Sequence, residues 1–369
     1  MVFNERDHME QLEKEKYMRR AIELALKGEG FVNPNPLVGA VIVKDSRIIG
    51  EGYHQRYGEP HAEVNAFKNA TEDVNGSTIF VTLEPCSHFG KQPPCAAAII
   101  EKGIKKVVIG LLDPNPLVSG KGIKMLEEAG IEVEVNFLAD EIRRVNEIFL
   151  KYITTRRPFV AMKYAMTLDG KLATKDFDSK WITNEDARKH VHKLRNRYAS
   201  ILVGVNTIIK DDAKLNVRLD YETYQPIRIV IDPELNIPLK SYVVKTAKQQ
   251  QTWVVSKKYD ETLENLGVRI IQMDEINLEE LLNILGKEGI DSVFIEGGAY
   301  THGTFLDQGL VDKVYAYIAP KLIGGKNALT PVSGEGVSLM KDAFELEDIK
   351  IQFFGDNILV EGLVKKEKL

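Results

Sequence analysis

The sequence predicts an α/β protein of two domains. Apolar runs of strand length alternate with stretches of helical spacing along the whole chain. The polar stretch "TTRRPF" at 154–159 interrupts that alternation, which then restarts with "FVAMKYA". A chain of 369 residues is long enough for two domains, each able to bury a core without disulfides. The expected division is 1–153 and 154–369.

The elements follow in order. Residues 9–28 carry Leu12, Met18, Ile22, Leu24 and Ala25 near helical spacing. "NPNPLVG" at 33–39 is a Pro/Asn loop that enters the apolar strand "LVGAVIV", and a turn at "KDSR" leads to a second strand near 47–53. "HAEVNAFKNA" at 61–70 suits a helix, and "STIFVTLEPC" reads as a strand running into a loop. "PCAAAIIEKG" opens a helix with Pro94 in its first turn and Gly103 at its end. "KKVVIGLLD" is a buried strand, followed by a helix over about 120–129, the strand "IEVEV" and a long polar helix over 139–153. The second domain offers the helix "NEDARKHVHKLRNRY", capped by Thr183 or Asn184. Its strands are "FVAMKYA", "ASILVGV", "IRIVID", "TWVVS", "DSVFIE" and "KVYAYIAPKLI", with two more near 347–354 and 357–364.

Composition narrows the class. Hydrophobic content of 44% and charged content of 28% are ordinary for a globular protein. A net charge of −5 argues against a general nucleic-acid coat. The first twenty residues are too polar for a signal peptide, and no apolar run reaches the 18 residues a membrane helix needs. The expectation is a cytoplasmic enzyme that engages neither nucleic acid nor membrane. Two cysteines are too few for a disulfide framework, so their placement needs another explanation.

That placement is the most informative feature. Both cysteines lie in "EPCSHFGKQPPC", each after a proline, with Cys95 at a helix start. A helix N-terminus favours thiolates. His61, Cys86 and Cys95 make three ligands, and three protein ligands with one open position is the catalytic zinc arrangement. Glu63, two residues after His61, can stand beside the metal and carry a proton from water to a leaving amine. The zinc deaminase signature is H-x-E followed by P-C-x-x-C. "HAE" meets its first half; the second departs, since eight residues separate Cys86 from Cys95. The inserted "SHFGKQPP" reads as a loop over the site, with His88 and Lys91 as candidates for a substrate phosphate. Two rivals stand beside this reading: a nucleoside or tRNA deaminase with an appended domain, and a structural zinc module with a nucleotide-sensing domain.

With "VNPNPLVG", "EGYHQRYGEPHAE", "TLEPCSHFGKQPPC" and "DPNPLVSGKG", the first domain resembles the deaminase half of the bifunctional riboflavin-biosynthesis deaminase/reductase family. The resemblance implies a cytidine-deaminase-like three-layer fold, zinc ligands His61, Cys86 and Cys95, and Glu63 as proton shuttle. It implies a diaminopyrimidinone substrate carrying a phosphoribosylamino group. Asn35, His54, His88 and Lys91 are the candidates for holding its base or phosphate.

In the second domain no G-x-G-x-x-G follows an early strand. "FIEGGAYTHGTFL" at 294–306 offers small residues between a strand and a helix, where backbone N–H groups can approach phosphates. "KYAMTLDGKLA", "DSKWIT", "HKLRNRYASILVGVNTIIKDDAKLNVR" and "APKLIGG" are similar to the reductase half of the same family. The similarity implies a dihydrofolate-reductase-like fold that uses NADPH. It places Ala165, Trp181, Thr207, Asp211, Gly298, Ala299, Tyr300, Thr301, His302, Gly303 and Thr304 at the cofactor. It places Ser179, Arg195, Leu215, Arg218 and Glu296 at the substrate. Ala213 and Asn216 stand where that family usually has Pro and Thr. Paired N–H donors suit Arg195 and Arg218 to a ribose phosphate. Asp169 reads equally as a turn former or a substrate contact, and no general acid for reduction stands out. The whole predicts zinc-dependent deamination of a phosphoribosyl pyrimidine followed by NADPH reduction, in a homo-oligomer.

Overall fold

The computed structural model describes residues 5–87, 93–115 and 119–366. They divide into two units, 1–156 and 157–369.

The first unit is built on a five-stranded sheet. Its strands are β1 (Gly39–Lys44), β2 (Arg47–Tyr53), β3 (Thr78–Leu83), β4 (Lys106–Leu111) and β5 (Glu132–Glu134), in the order β2-β1-β3-β4-β5. β1 runs antiparallel to β2 and β3, while β3, β4 and β5 are mutually parallel. The helices are α1 (Glu5–Leu26), α2 (Ala62–Lys68), α3 (Cys95–Glu101), α4 (Lys121–Glu128), α5 (Ala139–Val145) and α6 (Glu147–Thr155). Successive strand side chains point to opposite faces, and both faces are covered here. Ile42, Ile79, Val81, Val107 and Ile109 pack on α2, α3 and α4 through Ala62, Ala66, Ala96, Ile99 and Leu126. Val41, Val43, Phe80 and Val108 pack on α1, α5 and α6 through Tyr17, Met18, Ala21, Ile142 and Phe149. The result is the expected three-layer sandwich. Gly39 is needed where α1 crosses β1, because a Cβ there would overlap the Ala21 carbonyl.

The helix expected over 139–153 is two helices. Asn146 interrupts it, and its buried amide accepts from Leu37 N at 2.8 Å and donates to Leu37 O at 3.0 Å. α6 continues to Thr155, past the expected division at 153. The interruption ties the "NPNPL" loop to the helical layer.

The second unit carries nine strands. They are β6 (Phe159–Thr167), β7 (Ser200–Gly204), β8 (Ile227–Ile231), β9 (Thr252–Ser256), β10 (Val268–Gln272), β11 (Ser292–Ile295), β12 (Lys313–Ala319), β13 (Leu346–Phe354) and β14 (Asn357–Val364). The order is β10-β9-β8-β7-β11-β6-β12-β14-β13. The first seven in that order are parallel; β14 runs antiparallel to β12, and β13 to β14. The helices are α7 (Glu185–Arg197), α8 (Val205–Asp211), α9 (Tyr242–Lys245), α10 (Glu261–Asn265), α11 (Leu278–Lys287) and α12 (Ala299–Asp307). Asn184 caps α7 by accepting from Ala187 N. One sheet face buries Leu202, Ile229, Val255 and Val293 against α11 and α12; the other buries Ile201, Val203, Val230 and Val254 against Ile208, Val243 and Leu263. β10, α9, α10 and α11 are elements that the sequence reading did not name.

Candidate functional site

In the first unit two strand-to-helix connections converge. The turn after β2 ends at His61, which sits just before α2 with extended backbone (φ −69°, ψ 165°). The loop after β3 carries Cys86, and Cys95 is the first residue of α3. His61 Nδ1 lies 3.3 Å from Cys95 Sγ and 3.6 Å from Cys86 Sγ, and Cys95 N donates to Cys86 Sγ at 3.2 Å. All three ligand atoms lie within 4.8 Å of one another. Zinc bonds of about 2.3 Å to sulfur and about 2.0–2.1 Å to nitrogen, at tetrahedral angles, place N and S roughly 3.6 Å apart. The arrangement therefore fits zinc, and among the described residues it provides three ligands.

The electrostatics settle one thiolate among the three ligands, Cys86, and a metal that binds must displace the protons on the other two. The Cys95 thiol, then His61 and the Cys95 backbone N–H, draw Cys86 down to about 4, while Cys95 itself is pushed upward. The Cys86 thiolate in turn pushes His61 up to about 9. Glu63, on the first turn of α2, is 3% exposed, and burial raises its carboxyl. A carboxyl shielded from water beside three ligands is suited to taking up and returning a proton.

His54 and Asn35 join this site. His54 Nδ1 lies 3.2 Å from the Pro60 carbonyl, which only accepts, so Nδ1 carries the proton and Nε2 accepts from Asn35 Nδ2 at 3.2 Å. Burial lowers the His54 pKa, in keeping with a neutral ring. Its ring meets that of His61 edge-on at 5.8 Å. His88 and Lys91 lie outside the described residues.

Two side chains that the sequence reading passed over, the buried Glu84 and the half-buried Asn65, position these groups. Glu84 is 4% exposed and accepts from three backbone N–H groups: Asp113 (3.3 Å) and Gly120 (3.0 Å) on one oxygen, Gly122 (3.1 Å) on the other. It fastens the Cys86 loop to the loops at the end of β4 and the start of α4. Asn65 donates to the Tyr53 and Pro60 carbonyls and so holds the turn that carries His54 and His61. The signal for Glu84 was a carboxylate directly after the apolar run "TIFVTL".

In the second unit a cleft of about 320 Å³ opens beside the C-terminal ends of β7 and β8. Gly204, Thr207, Pro233, Ile276, Gly298, Tyr300, Thr301, Thr304 and Gln308 are among its lining residues. Ligands of open parallel sheets bind at the carboxyl ends of the strands. Two glycines shape the turn into α12: Gly297 packs so closely on β7 that a Cβ would press on Val203 at 2.7 Å, and Gly298 has φ 59° with only Thr301 Oγ1, at 3.9 Å, near its Cβ position. Together with the N-terminus of α12, this fits a dinucleotide phosphate. Of the residues expected at the cofactor, Thr207, Gly298, Tyr300, Thr301 and Thr304 line this cleft. Ala165, Trp181 and Asp211 lie outside its lining. Trp181 is 63% exposed with Arg188 stacked on its ring at 4.5 Å, so it is not a core residue. His302 is buried, bonded through Nδ1 to the Pro331 carbonyl, and is not among those lining residues.

A charged cluster stands beside β6 and β11. Arg195 on α7 forms a two-pronged pair with Glu296, just after β11, at 2.5 and 2.9 Å, and its third nitrogen reaches Asn216 O at 2.9 Å. Three of the donors expected to grip a phosphate are thus committed within the protein. Arg218, which is exposed, bonds Asn216 Oδ1 at 2.5 Å. Against the pull of burial, Arg195 and then Lys163 hold Glu296 down to about 2. Burial lowers the pKa of Lys163, whose Nζ is 3.8 Å from Glu296. The sequence reading quoted "KYAMTLDG" without singling out Lys163; its signal was a lone charge inside the apolar strand β6. Leu215 is buried in the core with φ 50°, so its side chain faces Ile208 and Val230. Asp169 accepts from Thr167 Oγ1, Ile323 N and Gly324 N, which makes it a loop clamp.

The fold and the two sites define a class: a zinc-dependent deaminase joined to a nucleotide-dependent reductase. The model for the cytidine and deoxycytidylate deaminase zinc-binding region matches residues 11–111, and that for the RibD C-terminal domain matches 158–360. The riboflavin biosynthesis protein RibD of Actinobacillus pleuropneumoniae is 47% identical over 94% of both chains. That of Escherichia coli is 39% identical over 94% of this chain and 98% of its own. A Thermotoga maritima diaminohydroxyphosphoribosylaminopyrimidine deaminase/5-amino-6-(5-phosphoribosylamino)uracil reductase superposes with a TM-score of 0.87 at 40% identity, over 96% of this chain and all of that one. The chain belongs to the RibD family: it is a bifunctional deaminase and reductase of riboflavin biosynthesis, with zinc and NADPH as cofactors. The tRNA-deaminase and structural-module alternatives are not favoured.

Proposed function

We propose that the first unit deaminates 2,5-diamino-6-(5-phosphoribosylamino)pyrimidin-4-one and that the second reduces the ribosyl group of the product to ribityl. His61, Cys86 and Cys95 hold the zinc, which when bound supplies a Lewis acid for activating water. Glu63 takes the proton of the attacking water and returns it to the departing ring amine, so that ammonia leaves. Asn35 and His54 hold the base, and His88 and Lys91 take the phosphate. In the second unit NADPH supplies the hydride. Thr207, Asp211, Ala165, Trp181 and the segment Gly298–Thr304 hold the cofactor; Ser179, Arg195, Arg218 and Glu296 surround the substrate, with Leu215, its side chain in the core, meeting it through its backbone. Because Arg195 is already paired with Glu296, its part is to fix that carboxylate, leaving Arg218 for the phosphate.

One observation carries the deaminase half: a buried carboxyl, Glu63, two residues from the metal ligand His61 in a cluster of zinc-matching geometry. The test is Glu63→Gln. The variant retains zinc and still oxidises NADPH with the deaminated intermediate, while ammonia release falls by about 10²- to 10⁴-fold. Undiminished ammonia release would refute Glu63 as the proton carrier.

A homo-oligomer is supported by β13, an edge strand whose Ile349, Ile351 and Phe353 share one face and are 56–67% exposed. A long apolar edge of this kind invites a second copy of the chain. Among the described residues no helix is long and apolar enough to cross a membrane. Two free cysteines held as ligands suit the reducing cytoplasm.

A further inference from the structure

The cleft at β7, β8 and α12 has an end that the residues expected at the cofactor leave unexplained. Gly298, Tyr300, Thr301 and Thr304 line it on the α12 side, where the N–H groups of a helix start suit phosphates. The other end is walled by Ile231, Pro233, Ile276 and Leu278, an apolar slot of the kind that takes an adenine. With the nicotinamide directed to β6 and the phosphates at α12, the adenosine half extends over β8 toward β9.

Two lysines stand at that end. β9 terminates at Ser256 and is followed directly by Lys257 and Lys258. Both are fastened to the cleft wall: Lys257 N and Ser256 Oγ each donate to the Pro233 carbonyl at 3.1 Å, and Lys258 N donates to Ser256 Oγ at 3.1 Å. Lys257 Nζ pairs with Glu275, the neighbour of the lining residue Ile276, at 2.5 Å; Lys258 Nζ pairs with Glu234, the neighbour of Pro233, at 2.7 Å. All four side chains keep solvent access, so each pair can be exchanged for a stronger partner at little cost. Enzymes selective for NAD place a carboxylate on the adenosine ribose, whereas NADP binders place a cation on the 2′-phosphate. No acidic residue is among the described lining residues of this cleft, and the two carboxylates flanking that end, Glu234 and Glu275, are each held by one of the lysines.

We infer that Lys257 and Lys258 bind the 2′-phosphate of NADPH, giving up Glu275 and Glu234 to do so, and that they set the preference of this reductase for NADPH over NADH. The inference rests on the second unit being the NADPH-dependent reductase described above. It is tested by calorimetric binding of NADP⁺ and NAD⁺, and of 2′,5′-ADP and 5′-AMP, to the full-length protein and to Lys257→Ala, Lys258→Ala and the double variant. A charge-assisted contact to phosphate is worth about 10- to 100-fold in affinity. The double variant is expected to lose at least about tenfold for NADP⁺ and 2′,5′-ADP, with NAD⁺ and 5′-AMP unchanged, and Lys257→Arg with Lys258→Arg is expected to restore the preference. An unchanged NADP⁺/NAD⁺ ratio in the double variant overturns the inference, as does a parallel loss for all four ligands. A wild-type protein that binds neither dinucleotide overturns the reductase reading itself, and the inference with it.

Discussion

Replacing Glu84 by Gln tests how the Cys86 loop is held. The wild-type carboxylate accepts Asp113 N and Gly120 N on one oxygen and Gly122 N on the other. An amide keeps only one accepting oxygen. Whichever way it turns, its NH₂ faces at least one backbone N–H, donor against donor, and one or two of the three bonds are lost. The contact with Gly122 N is buried, and a buried donor left unsatisfied costs roughly 1–3 kcal/mol. That cost lowers the melting temperature of a unit of this size by about 2–4 °C per kcal/mol. Calorimetry of the zinc-loaded protein should show a lowered transition for the deaminase unit and an unmoved one for the reductase unit. Because Glu84 lies two residues before a ligand, zinc should also pass faster to a competing chelator. A variant with the wild-type melting profile and wild-type zinc release would show that the backbone loops are held by other contacts.

Two more expectations follow from the same geometry. Stripping the metal with a chelator should abolish ammonia release while the deaminated intermediate still drives NADPH oxidation at the untreated rate, because the ligand set and the Arg195–Glu296 cluster belong to different units; loss of both activities together would refute that separation. Glu296 is held down to about 2 against its ordinary 4.5, chiefly by Arg195 once burial is overcome. Between these values the unfolded chain binds a proton that the folded one excludes, so the stabilisation is complete above about pH 4.5 and fades as pH falls toward 2. The gap in denaturant midpoint between wild type and Glu296→Gln should narrow over that range, and a gap independent of pH would contradict the pairing.

What the sequence disclosed and what it hid have physical reasons. The zinc ligands were legible because each occupies a stereotyped place: one beside a glutamate at the start of a helix, two behind prolines around a single loop. The alternation of strand and helix was legible because burying both faces of a sheet leaves a periodic trace in the side chains. Glu84 and Asn146 were not, since both act on backbone groups distant in the chain (Asn146 on Leu37, Glu84 on Gly120 and Gly122), and backbone partners carry no residue signature. The commitment of Arg195 to Glu296 was equally hidden, because 101 residues separate the two. β10 reads "VRIIQ", with Arg269 and Gln272 too mixed among its apolar residues to declare itself before β9 supplies its partner.

The position of β11 has a consequence for how the reductase unit comes into being. This four-residue strand sits between β7 and β6, which precede it in the chain by about ninety residues or more. Until it arrives, those strands have no partner on that side, and pairings across such sequence separations are slow to form. Glu296 follows β11 immediately, so the carboxylate reaches Arg195 only as the sheet closes. On the ribosome, the reductase unit is therefore a late event: a nascent chain short of residue 292 lacks the keystone of that sheet, and no premature cleft is on offer to a passing nucleotide.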